Sequence, residues 1–114
     1  MNENNVLPLY YDFQRLNIPS HHTNGNSIGM FKNEIECLIW CALNSSSGNW
    51  LEIGSHKGGS TVLLCLVRQF LKYGPTIYTF DKKYDEWFDK NINDNGFSYL
   101  VKKIEDTTKN FEVY

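Results

Sequence analysis

The sequence predicts an α/β fold: a Rossmann-like parallel sheet laid out β-α-β-α-β after an amino-terminal helix. Three observations predict it. Two short runs rich in β-branched and aromatic residues, Trp50 to Ile53 and Thr76 to Phe80, flank a stretch of helical periodicity. A second helical stretch then leads to a third such run, Phe97 to Ile104. A glycine-rich turn, GSHKGGST, stands where the first run meets its helix. Alternating strands and helices of this length imply parallel strands joined by crossovers, and ligands bind such sheets at the carboxyl ends of their strands.

Each element follows from local pattern. Residues 1 to 30 carry Pro8, Pro19, Gly25 and Gly29 and form an irregular arm, with room for a short helix around Tyr10 to Leu16. His21 and His22 fall in its most loop-like part and are expected to be solvated. The remainder, 31 to 114, forms the domain. Residues 31 to 44, FKNEIECLIWCALN, place Ile35, Leu38, Ile39, Ala42 and Leu43 on one helical face. Asn33 is the expected cap, and Glu34 and Glu36 suit the positive end of the helix dipole. Between Gly58 and Tyr73, Val62, Leu63, Leu66, Val67 and Phe70 recur at helical spacing, and Gly74-Pro75 ends the helix. Tyr84 to Ile92 forms a polar, aromatic helix closed by NDNG.

Composition bounds the function. The 114 residues allow one domain with a modest core. Apolar residues make up 41% and charged residues 21%, an ordinary globular balance. A net charge of −2 without a basic block argues against a nucleic-acid partner. No apolar run approaches the roughly 20 residues of a membrane span. The start, MNENNVLPLYY, lacks a basic region and a long apolar run, so a cytoplasmic location is expected. Cysteines 37, 41 and 65 are odd in number and form no disulfide framework. Cys37 and Cys41 share a helix face, and small buried apolar residues are the expected role of all three. No metal site is assigned.

The glycine turn decides the ligand class. Gly54 to Thr61 has the glycine spacing of a phosphate loop, yet Ser60 stands where that loop needs the lysine that neutralises phosphate charge. A dinucleotide turn needs glycine two positions after Gly54, and His56 stands there. A third pattern, acid-x-G-x-x-x-G-x-[ST], is met by Glu52, Gly54, Gly58 and Ser60. A ligand without phosphate needs no lysine, and glycines let the backbone lie against it. Asp81, at the tip of the next strand, can accept both hydroxyls of a ribose. Its competing role is a helix cap for YDEWFDKN, shared with Asp85.

LEIGSHKGGST with Asp81 one crossover later resembles motif I of the class I S-adenosylmethionine-dependent methyltransferases, over roughly residues 33 to 108. The resemblance implies S-adenosylmethionine as cofactor, with Glu52 facing the methionine ammonium through water. It implies Gly54, Ser55, Gly58 and Ser60 as the cradle and Asp81 as the ribose acceptor. Asp106, after the third strand and beside Glu105, would accept from the adenine amino group. Lys82 and Tyr84 would lie near the adenine. His56 and Lys57 would be solvated loop residues close to the methyl group.

The family's domain has seven strands in order 3-2-1-4, and this chain supplies the first three. No catalytic residue is therefore assigned, and the acceptor is unidentified, a small molecule or sugar before nucleic acid. Trp50 to Ile53 is expected at a sheet edge, which a homodimer or protein partner would complete. The alternative function is a non-catalytic, cofactor-binding or vestigial module acting through such a partner.

Overall fold

The computed structural model describes residues 2–16, 30–45, 48–54, 58–72, 76–81, 84 and 86–104. A 3-10 turn, Asn2–Asn5, leads into α1 (Val6–Arg15) and then α2 (Lys32–Leu43). β1 (Trp50–Ile53), α3 (Gly59–Leu71), β2 (Ile77–Phe80), α4 (Glu86–Asp94), a second 3-10 turn (Ser98–Leu100) and β3 (Val101–Lys103) complete the order. The fold is mixed α/β, with a three-stranded parallel sheet in order β1-β2-β3.

In the amino-terminal segment the helix is longer than the short one expected around Tyr10 to Leu16, and residues 17–29 of the expected irregular arm lie outside the described residues. α1 begins at Val6, ahead of Tyr10, and tolerates Pro8 in its first turn, where no intrahelical donor is lost. Its Leu9 and Phe13 are buried in the same core as Ile35, Ile39 and Leu63. In α2 the cap is Phe31, not Asn33. The Phe31 backbone N–H donates to Glu34 Oε1 at 2.9 Å, and its carbonyl accepts from Ile35 N–H at 3.0 Å. Ile35, Ile39, Ala42 and Leu43 are buried as the periodicity requires.

α3 is covered by the sheet on one side and by α1, α2 and α4 on others. Its burial therefore extends beyond one stripe: Thr61, Val62, Leu63, Cys65 and Val67 are all buried, while Phe70 is exposed. The helix ends at Leu71, and Lys72 takes the left-handed conformation at φ 62°, ahead of Gly74-Pro75, which lie outside the described residues. After α4, Gly96 turns the chain at φ 73°, and Phe97 N–H donates to the Ile92 carbonyl at 3.0 Å. The third strand is shorter than expected. Phe97 and Leu100 enter the core through the 3-10 turn, and only Val101–Lys103 pairs with β2.

The sheet is clothed on one face. Trp50, Ile77 and Val101 are register partners, as are Glu52, Thr79 and Lys103, so these rows share a face. That face meets α3 through Glu52 and α4 through Lys103, whose ammonium lies 5.9 Å from the Phe88 ring centre. Crossovers of one hand that step in one direction put their helices on one side. The opposite row carries Leu51, Ile53, Tyr78 and Phe80. Leu51 is 60% exposed and Ile53 75% exposed, so the outer face of β1 is bare. Parallel sheets are ordinarily covered on both faces.

The cysteines divide. Cys65 is fully buried in α3, as expected, but Cys37 and Cys41 are exposed on α2. They fall between the core positions 35, 39, 42 and 43, so the helix turns them outward. Burial pushes the Cys65 thiol up to about 12, with the Glu52 charge adding to it. A raised thiol pKa contributes stability that is intact below the ordinary value and lost as pH rises toward 12. With an aromatic disulfide reagent at pH 8, two thiols per chain are expected to react at once and the third only on global unfolding. Three equally fast thiols would contradict this burial.

Candidate functional site

The site is built at the carboxyl ends of β1 and β2. β1 delivers Glu52 toward the helices, and the chain then turns at Gly54. Gly54 N–H donates to the Phe80 carbonyl at 2.7 Å, which carries the parallel pairing one residue past the strand. Gly54 is thereby set beside Asp81, the residue that follows β2 and is half-buried. The chain re-enters helix at Gly58, the amino-terminal cap of α3. The first turn of α3 therefore points free backbone donors at this end of the sheet.

The two left-handed glycines of the turn serve different needs. Both are left-handed, Gly54 at φ 85° and Gly58 at φ 88°, a region that favours glycine. A methyl group on Gly54 would meet nothing within 4 Å. A methyl group on Gly58 would lie 3.1 Å from Phe88 Cδ2 and 3.5 Å from the Phe88 backbone. Gly58 thus makes room for α4, whereas no described side chain crowds the exposed Gly54.

Glu52 has a definite internal role. Its Oε2 accepts from the Ser60 hydroxyl at 2.6 Å. Its Oε1 accepts from the Thr79 hydroxyl at 3.0 Å and from the Thr61 hydroxyl. One half-buried carboxylate so joins β1, β2 and the first turn of α3. Thr61 and Thr79 are fully buried. A mid-strand acid among apolar neighbours is tolerated because its oxygens are satisfied. Both threonines escaped sequence reasoning. Thr61 stood in the motif's own helix turn, while Thr79 lies 27 residues from Glu52 and is brought to it by strand register.

Tyr84 closes the far side. Its hydroxyl donates to the Thr79 carbonyl at 2.6 Å and lies 3.3 Å from that of Ile104. Its ring packs against Phe88 at 5.1 Å, and the Lys103 ammonium sits 5.0 Å from the ring centre. Lys103 also pairs with Asp89 at 3.0 Å. Burial, helped by the Asp81 charge, holds the Tyr84 phenol above its ordinary value. Tyr84 thereby ties the ends of β2 and β3 together.

Of the residues expected at the site, Glu52, Gly54, Gly58, Ser60 and Asp81 converge on this end of the sheet. Ser55, His56, Lys57, Lys82, Asp85, Glu105 and Asp106 lie outside the described residues, as do His21 and His22. Among the described residues no group of three His, Cys, Asp or Glu side chains could hold a metal ion. No described helix is long and apolar enough to cross a membrane.

A separate groove of about 480 Å³ runs along the free edge of β1. Leu38 and Ala42 of α2 and Leu64 of α3 form one wall, and Trp50, Leu51 and Glu52 the other. It opens toward Gly48 and Asn49, at the amino end of the strand, and shares Glu52 with the carboxyl-end site. No family model, curated protein sequence or solved structure matches the chain.

Proposed function

We propose that the chain binds S-adenosylmethionine at the carboxyl ends of β1 and β2, as the cofactor-binding part of a Rossmann-like, methyltransferase-type fold. The observation that carries this reading is Gly54: a left-handed glycine that no described side chain crowds, held by the Phe80 carbonyl beside Asp81. A glycine there leaves its backbone bare for a ribose or methionine portion to lie against. Asp81 then accepts from the ribose hydroxyls. Ser60 and Thr61 spend their hydroxyls on Glu52, so the first turn of α3 offers backbone N–H groups to the methionine carboxylate. Glu52 acts on the cofactor by holding that turn in place, and by its charge. The bound sulfonium supplies an electrophilic methyl group. The protein's contribution to its transfer is positioning. The acceptor, a small molecule or sugar, is left to residues beyond those assigned.

Calorimetric titration with S-adenosylhomocysteine tests the site. Binding in the micromolar range is expected, weakened at least tenfold by Asp81→Ala. Two hydrogen bonds to a charged group are each worth about 1.5–3 kcal/mol, and a factor of ten needs only about 1.4 kcal/mol. A folded wild-type chain that gives no heat at millimolar ligand would end the proposal.

A second reading is favoured by the bare edge of β1 and its groove: a non-catalytic module that works through a protein partner. Leu51 and Ile53 expose apolar surface beside backbone groups that no described strand pairs. Concentration-dependent mass in light scattering, abolished by Leu51→Lys, would favour this reading in its homodimer form.

A further inference from the structure

The exposed face of α2 carries a stripe made of Cys37, Trp40, Cys41 and Asn44, at spacing i, i+3, i+4 and i+7. None of these residues belongs to the core or to the site at the sheet end. Cys37 and Cys41 are both free and exposed, one helical turn apart. At i and i+4 the two side chains are neighbours on one face of α2. The pair cannot simply close on itself. Neighbours at this spacing hold their Cβ atoms about 5–6 Å apart, and a disulfide needs about 3.5–4.5 Å. Closing it would unwind α2, which is anchored by Ile35, Ile39, Ala42 and Leu43.

A single soft atom between the sulfurs removes that obstacle. With two bonds of about 2.3 Å, as for thiolate on zinc, it holds the sulfurs roughly 3.5–4 Å apart and leaves the helix intact. Zinc itself wants four ligands, and among the described residues none joins the two thiols to make even three. The pair therefore suits a thiophilic centre that needs two thiols and brings its own third substituent. Trp40, 44% exposed and one position before Cys41, offers an apolar surface on which an aryl substituent can rest.

We propose that Cys37 and Cys41 form a bidentate dithiol site on the outer face of α2 for monosubstituted trivalent arsenicals, with preference for aryl ones. The reaction is a double substitution without redox change. Each As–OH bond of the hydrated arsenical is replaced by an As–S bond, and each thiol proton leaves with the departing hydroxide as water. Desolvation and the neighbouring Cys37 hold the Cys41 thiol above its ordinary value.

The test uses the full chain, reduced with a phosphine, and phenylarsine oxide. One adduct per chain is expected in native mass spectra, with a change in Trp fluorescence. A dithiol such as dimercaptopropanol should strip it at concentrations where a monothiol does not. Cys37→Ser and Cys41→Ser should each weaken binding at least a hundredfold, and Cys65→Ser should not change it. Trp40→Ala should weaken the phenyl arsenical and leave a methyl arsenical unaffected. A stable adduct that survives in either single serine variant, or its absence in the wild type, would overturn the proposal. Cys37→Ser and Cys41→Ser lie on an exposed face, Cys65→Ser lies in the core, and far-ultraviolet circular dichroism verifies that the fold of all three persists.

Discussion

Replacing Glu52 by alanine is expected to lower the unfolding free energy by about 2–4 kcal/mol. The side chain buries little apolar area, so the loss comes from its partners. Thr61 and Thr79 hydroxyls are fully buried and both donate to Glu52 Oε1, while Ser60 donates to Oε2. Each buried hydroxyl left without its acceptor costs about 1–3 kcal/mol, reduced where water enters beside the half-buried carboxylate. Urea denaturation of Glu52→Ala measures the total. The mechanism is checked by removing the donors as well. Glu52→Met combined with Thr61→Val and Thr79→Val should be more stable than Glu52→Met alone, because neither fully buried donor is left orphaned and the half-buried Ser60 hydroxyl can turn to water. A Glu52→Ala chain within about 0.5 kcal/mol of wild type would show that the carboxylate does not tie the strands to α3.

Gly58→Ala is expected to cost about 2–4 kcal/mol, and Gly54→Ala only about 1–2 kcal/mol. Both glycines are left-handed, and a Cβ in that region costs about 1–2 kcal/mol by itself. At Gly58 the new methyl also meets Phe88 at 3.1 Å. Phe88 is 1% exposed and packed on Tyr84, so its ring has little room to retreat. Overpacking of this kind adds about 1–3 kcal/mol. At ~4 °C per kcal/mol for a domain of this size, the two variants separate clearly in thermal melts. Phe88→Leu should relieve part of the Gly58→Ala cost in a double-mutant cycle. Equal costs at the two glycines would remove the claim that Gly58 is kept for α4.

The order of elements was legible because each is marked by its own period. A short apolar run marked β1, β-branched and aromatic residues marked β2, and spacing of three and four marked α2 and α3. Element ends were less legible. The cap of α2 moved from Asn33 to Phe31 because Glu34 reaches back to the Phe31 N–H, a choice a local pattern leaves open. Gly54 and Asp81 follow adjacent strands and Ser60 stands in the first turn of α3, while Ser55 and Asp106 lie outside the described residues. Their energetic roles were not legible. The sequence shows that Glu52 is an acid in a strand. It does not show which hydroxyls reach it, because Thr79 arrives through register 27 residues later.

The cysteines show the same division. Spacing alone put Cys37 and Cys41 on one face of a helix. Which face turned to solvent depended on where α1 and α3 packed, and they packed on 35, 39, 42 and 43. By itself the sequence determined α2, β1, α3, β2 and α4 and their order, since these depend on side chains a few residues apart, while the extent of α1 and of β3 was not legible. Only the tertiary structure decided that Gly58 serves Phe88, that Glu52 joins three elements, and that β1 presents Leu51 and Ile53 to solvent. Those outcomes depend on contacts between residues far apart in the chain, which no local period encodes.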